Sequence, residues 1–278
     1  MFTNIIGSKK LLQVYKQSDF RIIDCRYDLG DPAAGKRQYL ESHIPGAVFA
    51  DIHQHLSGPP VTDHGRHPLP TTQRLQEVFA ELGISNECQV IAYDASFGAF
   101  AARLWWLLRY MGHEKVAILD GGWQTWLKSG GDSEQGDVAA KRTTFEGEAR
   151  KDRLVLLDEV ETVPLLVDSR EAPRYRGEME PIDPFAGHIP GAINRCWKDN
   201  ITETGEFVSA SQLHDEFSRI YHGENPENVV FYCGSGVSAC HNLLAANIAG
   251  LPDSRLYAGS WSEWCRDPSR PRAQSTDA

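Results

Sequence analysis

The sequence predicts two tandem α/β domains, each a parallel sheet flanked by helices. Two observations carry this expectation. A set of motifs is written twice in the same order, and short β-branched runs alternate with amphipathic stretches.

His43-Ile44-Pro45-Gly46-Ala47 returns as His188-Ile189-Pro190-Gly191-Ala192. Ahead of the first copy stands Ile22-Ile23-Asp24-Cys25-Arg26, and ahead of the second Leu166-Val167-Asp168-Ser169-Arg170. Val90-Ile91-Ala92-Tyr93 is matched by Val229-Val230-Phe231-Tyr232, and Gly121-Gly122-Trp123 by Gly259-Ser260-Trp261. Four features in one order at nearly constant separation imply a duplication. The expected boundaries are residues 1–130 for the first domain, 131–155 for a linker and 156–278 for the second domain. The linker follows from Ser129 to Arg150, which is rich in Gly, Ser and charge.

Phe20 to Ile23, Val90 to Tyr93 and Val116 to Leu119 read as buried parallel strands. Thr71-Thr72 is an N-cap signal for a helix over Arg74 to Leu82, and Ser209 or Ser211 for one over Leu213 to Ile220. Ala239 to Ala249 continues as a helix after the strand Val229 to Tyr232.

Composition narrows the function classes. Hydrophobic residues make up 41% of the 278 and charged residues 24%, the balance of a globular chain. A net charge of -10 argues against nucleic acid or an anionic membrane as partner, since both require basic patches. No apolar run reaches the ~20 residues of a membrane span. Met1 to Phe20 lacks the apolar core of a secretion signal, so a cytoplasmic location is expected. The six cysteines, at 25, 88, 196, 233, 240 and 265, show no metal-ligand or Cys-x-x-Cys spacing. Neither a catalytic metal nor a cofactor is implied.

Cys233 is the exception among them. It follows a predicted strand directly and opens the loop Gly234-Ser235-Gly236-Val237-Ser238, after which a helix begins. A strand–loop–helix junction in a parallel sheet lies at the carboxyl edge, where such sheets bind ligands. Glycines let successive N–H groups turn inward, and a helix N-terminus adds to a nest that favours an anion. The nest favours the thiolate, which is the nucleophilic form of a cysteine. The matching position in the first half is Asp94, so one copy carries the thiol and the other does not.

The duplicated unit, with its Asp-x-Arg strand end, His-Ile-Pro-Gly-Ala turn and cysteine loop, resembles the tandem rhodanese family along nearly the whole chain. The loop from Cys233 to Ser238 is similar to the Cys-Gly-Ser-Gly-Val-Thr loop of 3-mercaptopyruvate sulfurtransferases, with Ser for Thr at 238. The resemblance implies a ping-pong sulfurtransferase in which Cys233 becomes a persulfide. A first domain without the catalytic cysteine and a catalytic second domain follow from the same resemblance. Arg174, in Arg174-Tyr175-Arg176-Gly177, matches the arginine that holds the donor's anionic group, with Arg176 a weaker candidate. Gly234, Gly236, Val237 and Ser238 complete the expected substrate-binding set.

Ser235 and His67 match a serine and a first-domain histidine proposed to relay a proton. The acid of that relay falls at His53, which leaves Asp51 or another group to replace it. Asp168 and Arg170 are expected to brace the loop, as Asp24 and Arg26 do in the first half. His43 and His188 are expected to shape turns, and Cys240 to be a buried helix residue.

The family's second donor-binding arginine is absent from Glu180-Pro181-Ile182-Asp183-Pro184. The loop thus favours 3-mercaptopyruvate as donor, while this departure and His53 point to thiosulfate. A thiosulfate-specific rhodanese is one alternative, and a non-catalytic sulfur-carrier or binding module a second. A phosphatase is excluded by Ala239, where an arginine would be needed to grip phosphate. The expected partners are a small anionic sulfur donor and a thiol or cyanide acceptor, thioredoxin among the candidates. Two fused domains predict a monomer.

Overall fold

A computed structural model describes residues 1–61 and 64–275, so the last residues of the expected second domain lie outside the described residues. The chain forms two compact units. The first comprises Met1–Gly58, Pro70–Arg150 and Ile201–Phe207; the second comprises Pro59–Leu69, Lys151–Asn200 and Val208–Ala278. Each is built on one five-stranded parallel sheet.

In the first unit the strands are β1 (Ile5–Ile6), β2 (Phe20–Asp24), β3 (Val48–Phe49), β4 (Gln89–Tyr93) and β5 (Val116–Leu119), in the spatial order β1-β5-β4-β2-β3. Its helices are α1 (Ser8–Val14), α2 (Ala34–Glu41), α3 (Thr72–Glu81), α4 (Ala101–Tyr110) and α5 (Gly122–Lys128). In the second unit β6 (Leu154–Val155), β7 (Leu165–Asp168), β8 (Ile193–Asn194), β9 (Val229–Tyr232) and β10 (Arg255–Tyr257) run β6-β10-β9-β7-β8. The two orders are the same once the strands are matched through the repeat. The helices of this unit are α6 (Ala172–Arg176), α7 (Ala210–Tyr221), α8 (Ala239–Ile248) and α9 (Ser260–Trp264).

The central strands β4 and β9 are buried along their whole length, because a parallel strand between two helical layers has no wet face. The helices after them, α4 and α8, are mostly apolar in sequence and buried through most of their turns. Thr71 caps α3, its side chain accepting the Arg74 N–H at 3.2 Å. For α7 the cap is Ser209 rather than Ser211. It forms a capping box in which Gln212 reaches back to the Ser209 N–H at 3.2 Å.

Residues 131–150 follow the first unit. Glu134 forms an antiparallel bridge with His43, and the Val138, Thr143 and Arg150 N–H groups donate to Tyr39, Ala80 and Tyr110. Strand β6 falls inside the segment read from sequence as linker. Two residues are too few to show a period, and pairing with β10 makes them a strand. Among the described residues no helix is long and apolar enough to cross a membrane.

Candidate active site at the carboxyl edge of the second sheet

The repeated motifs build one buried network in each unit. At the end of β7, Asp168 takes the Arg170 side chain through Nε at 3.1 Å and Nη2 at 2.6 Å, plus the Arg170 N–H at 2.9 Å. The same Nη2 donates to the Gly187 carbonyl at 2.7 Å, and the guanidinium lies 4.9 Å from the Trp261 ring. Tyr232 OH bonds Asp168 and accepts the Ile189 N–H at 3.2 Å. His188 Nδ1 donates to the Tyr175 carbonyl at 2.8 Å and stacks on that ring at 3.9 Å. Asp24, Arg26, Trp123, Tyr93, Ile44, His43 and Tyr39 repeat this arrangement in the first unit. Because the network occurs in both halves, it explains the repeated motifs as scaffold.

Cys233 leaves this scaffold at the end of β9. It is 1% exposed, its N–H donates to Ser260 Oγ at 3.1 Å, and its carbonyl accepts the Trp261 N–H at 3.0 Å. Ser260 in turn donates to the Tyr257 carbonyl at 2.9 Å. Ser260 has φ +56°, a left-handed conformation that costs a non-glycine residue about 1–3 kcal/mol. Its counterpart in the first unit is Gly122, where a Cβ would meet the Asp94 carbonyl at 2.4 Å. Gly236 has φ +73°, and a Cβ there would stand 2.3 Å from the Ala258 carbonyl. Only glycine lets the loop fold back this closely. Val237 is buried, and Ser238 occupies the N-cap position of α8.

The matching loop in the first unit shows what this backbone holds. Asp94 is fully buried, and its carboxylate accepts the N–H groups of Ser96, Gly98, Phe100 and Ala101 at 2.7, 2.8, 2.8 and 2.9 Å. Burial raises the Asp94 pKa against the pull of these four donors. The strand–loop–helix turn of the first unit is therefore an anion cradle.

Ser235 and His67 meet in the second unit, because the segment Pro59–Leu69 belongs to it. His67 Nδ1 is 2.7 Å from Ser235 Oγ, and both residues are buried. His53, in the first unit, bonds Tyr27 OH at 2.8 Å, while Asp51 caps its backbone N–H at 2.8 Å.

Arg174 is held by Glu180 through Nε at 3.1 Å and Nη2 at 2.6 Å, and by Asp183 at 3.4 Å. A Cβ on Gly234 would lie 3.5 Å from Arg174 Nη1, so this guanidinium reaches the loop. Arg176 turns instead to Glu178 at 2.6 Å, an exposed pair. Cys240 donates to the Gly236 carbonyl at 3.3 Å from within α8.

Ser260, Glu180, Asp183 and Arg66 are absent from the residues expected above. Arg66 ion-pairs with Asp183, and its Nη2 would be 2.9 Å from a Cβ on Gly234. Burial raises the Asp183 pKa, and Arg66 opposes it. The signal for Ser260 lay in the repeat, since it stands where Gly122 does. That for Arg66 was weaker, a basic residue beside His67.

A buried cysteine at the carboxyl edge of a duplicated parallel sheet, opening the strand–loop–helix turn whose twin cradles a carboxylate, sets the second unit of this α/β protein apart from the first. The family model described as the rhodanese-like domain matches residues 8–129 and 152–267. The chain is 44% identical to a probable 3-mercaptopyruvate sulfurtransferase of Pseudomonas aeruginosa, over 97% of each chain. It is 37% identical to a putative thiosulfate sulfurtransferase of Mycobacterium tuberculosis, over 92% of this chain and 91% of that one. The crystal structure of SseA from Escherichia coli, described as a 3-mercaptopyruvate sulfotransferase, superposes with a TM-score of 0.79 at 33% identity. That match covers 94% of this chain and 100% of the other. The chain belongs to the rhodanese family and carries two rhodanese-like domains. It is a sulfurtransferase.

Proposed function

We propose that the enzyme moves sulfur from 3-mercaptopyruvate to a thiol or cyanide acceptor through a persulfide on Cys233. The observation that carries this reading is the Asp94 carboxylate in the first unit, bound by four N–H groups. Its oxygens lie two bonds beyond Cβ. The outer sulfur of a Cys233 persulfide also lies two bonds beyond Cβ, so an equivalent cradle in the second unit would hold it as an anion.

The steps balance. The Cys233 thiolate attacks the donor sulfur, the sulfur–carbon bond breaks, and its electron pair passes to carbon as the enolate of pyruvate. A proton completes pyruvate and leaves the persulfide, which the acceptor cleaves by attacking the outer sulfur. The buried Ser235–His67 pair stands beside this loop as the group able to move that proton. Thiosulfate would release sulfite and make no such demand, so the pair favours 3-mercaptopyruvate. Arg174 orients the donor's anionic group.

The test mixes the protein with each donor and cyanide in turn and follows thiocyanate. Mass spectrometry of the donor-treated protein should show one added sulfur atom on Cys233. Cys233→Ser should retain the fold and lose turnover; activity in that variant sinks the mechanism. Faster turnover with thiosulfate would reverse the donor assignment.

A further inference from the structure

We infer that Arg66 is the second donor-binding arginine of the Cys233 site, and that with Arg174 it selects a donor bearing a single carboxylate. This rests on the persulfide reading above. The Glu180-to-Pro184 stretch carries no arginine, yet two guanidiniums still converge on the residue after Cys233. A Cβ on Gly234 would lie 2.9 Å from Arg66 Nη2 and 3.5 and 3.6 Å from Arg174 Nη1 and Nη2.

The segment bearing Arg66 is anchored rather than loose. The Arg66 N–H donates to Ser262 Oγ at 3.0 Å, and a Cβ on Gly65 would stand 2.5 Å from the Gly259 carbonyl. Each arginine commits part of its fork to a carboxylate. Arg66 uses Nη1 on Asp183, while Arg174 uses Nε and Nη2 on Glu180. Arg66 Nη2 and Arg174 Nη1 remain directed at the loop, and no hydrogen bond among the described residues engages either. The two carboxylate side chains are 3% exposed, whereas Arg66 is 24% and Arg174 16% exposed. The acids thus lie behind the guanidiniums, and the cationic edges face outward over Gly234.

Charge sets the class of donor. Arg66, Arg174 and Arg170 are balanced by Glu180, Asp183 and Asp168, so the cluster is neutral before a donor arrives. Two N–H edges suit the two oxygens of one carboxylate. A dianion would bring two uncompensated charges to this neutral cluster, where a monocarboxylate brings one. Asp183, where the family's arginine is missing, positions Arg66 from the opposite chain segment.

The experiment measures kcat and KM for 3-mercaptopyruvate and thiosulfate, with pyruvate as a non-reacting carboxylate probe, in the wild type, Arg66→Gln and Arg66→Lys. Arg66→Gln should raise the mercaptopyruvate KM roughly 10- to 100-fold, the range of one lost charge-assisted hydrogen bond. Its kcat should stay within about twofold, and pyruvate inhibition should weaken in step with KM. Arg66→Lys keeps a charge on Asp183 and should recover part of the loss, which separates binding from misfolding. An unchanged KM in Arg66→Gln, or a fall in kcat alone, overturns the role of Arg66. A lower wild-type KM for thiosulfate than for mercaptopyruvate overturns the charge argument. If the wild type turns over neither donor, or Cys233→Ser stays active, the persulfide reading itself has failed.

Discussion

Tyr93 and Tyr232 allow the same atom to be removed from two copies of one network, only one of which leads into the reactive loop. Tyr93 OH donates to Asp24 at 2.6 Å and accepts the Ile44 N–H at 3.2 Å. Tyr232 OH does the same with Asp168 and the Ile189 N–H. Burial pushes both phenols well above their ordinary pKa, so both stay protonated and able to donate. Substitution by Phe preserves the ring and its packing but leaves a buried N–H without a partner and a carboxylate one donor short. Each such loss costs about 1–3 kcal/mol, and the two are not fully additive. About 2–4 kcal/mol is expected for either variant, a fall in Tm on the order of 10 °C for the affected domain. Calorimetry should therefore show similar destabilisation in Tyr93→Phe and Tyr232→Phe. Turnover should separate them. Tyr232 is bonded directly to Cys233, and a shift approaching 1 Å at a reacting atom can cost ~100-fold, so a loss of about tenfold is expected there. Tyr93→Phe should keep its rate within about twofold. An equal loss of turnover in both variants, or destabilisation in only one, would refute the view that the repeated motifs are scaffold.

Gly236→Ala pays about 1–2 kcal/mol for its left-handed backbone and also meets the Ala258 carbonyl, so kcat should fall by roughly tenfold or more. Gly191→Ala, at φ +81° with nothing within 4 Å of its Cβ, is the control that pays the backbone cost alone; equal kinetics in the two variants would discount the loop geometry. Burial lowers the pKa of His55, His113 and His188 below the ordinary 6.5. The unfolded chain then takes up protons first as pH falls, so this stability is complete above about pH 6.5 and is lost below it. Thermal melts should show Tm falling from that point, with a shallower fall in His113→Gln; a Tm that holds steady or rises down to about pH 5.5 contradicts the assignment.

The parallel sheets were legible in the sequence because buried parallel strands are continuous apolar runs. Gln89–Tyr93 and Val229–Tyr232 lie within a residue of where those runs placed them. β6 was not, since a two-residue edge strand exists only through its partner. Ser235 and His67 could be paired only by resemblance, because 168 positions separate them and no local pattern encodes so distant a contact. Arg66 escaped for the same reason, its meaning depending on Asp183, which lies 117 positions further on. Ser260 was visible as a motif but not as a ligand of the Cys233 N–H, because its left-handed backbone follows from packing and not from propensity.

The duplication supplies a subtraction that a single-domain chain would not. What both halves share is the carboxylate–arginine pair at the strand end, the tyrosine that bonds it, the histidine stacked on the next tyrosine and the tryptophan under the guanidinium. None of these can be specific to sulfur chemistry, since the first unit carries all of them around a carboxylate. Three of the differences lie at the loop or beside it. Asp94 becomes Cys233, Gly122 becomes Ser260, and Gln38, before the stacked tyrosine, becomes Arg174. In the first unit the Asp94 side chain itself fills the cradle. In the second unit the matching position carries the thiol of Cys233, and the Arg174 guanidinium reaches the residue that follows it. The proposed sulfur transfer would therefore have to draw on such differences, and not on the network that both halves share.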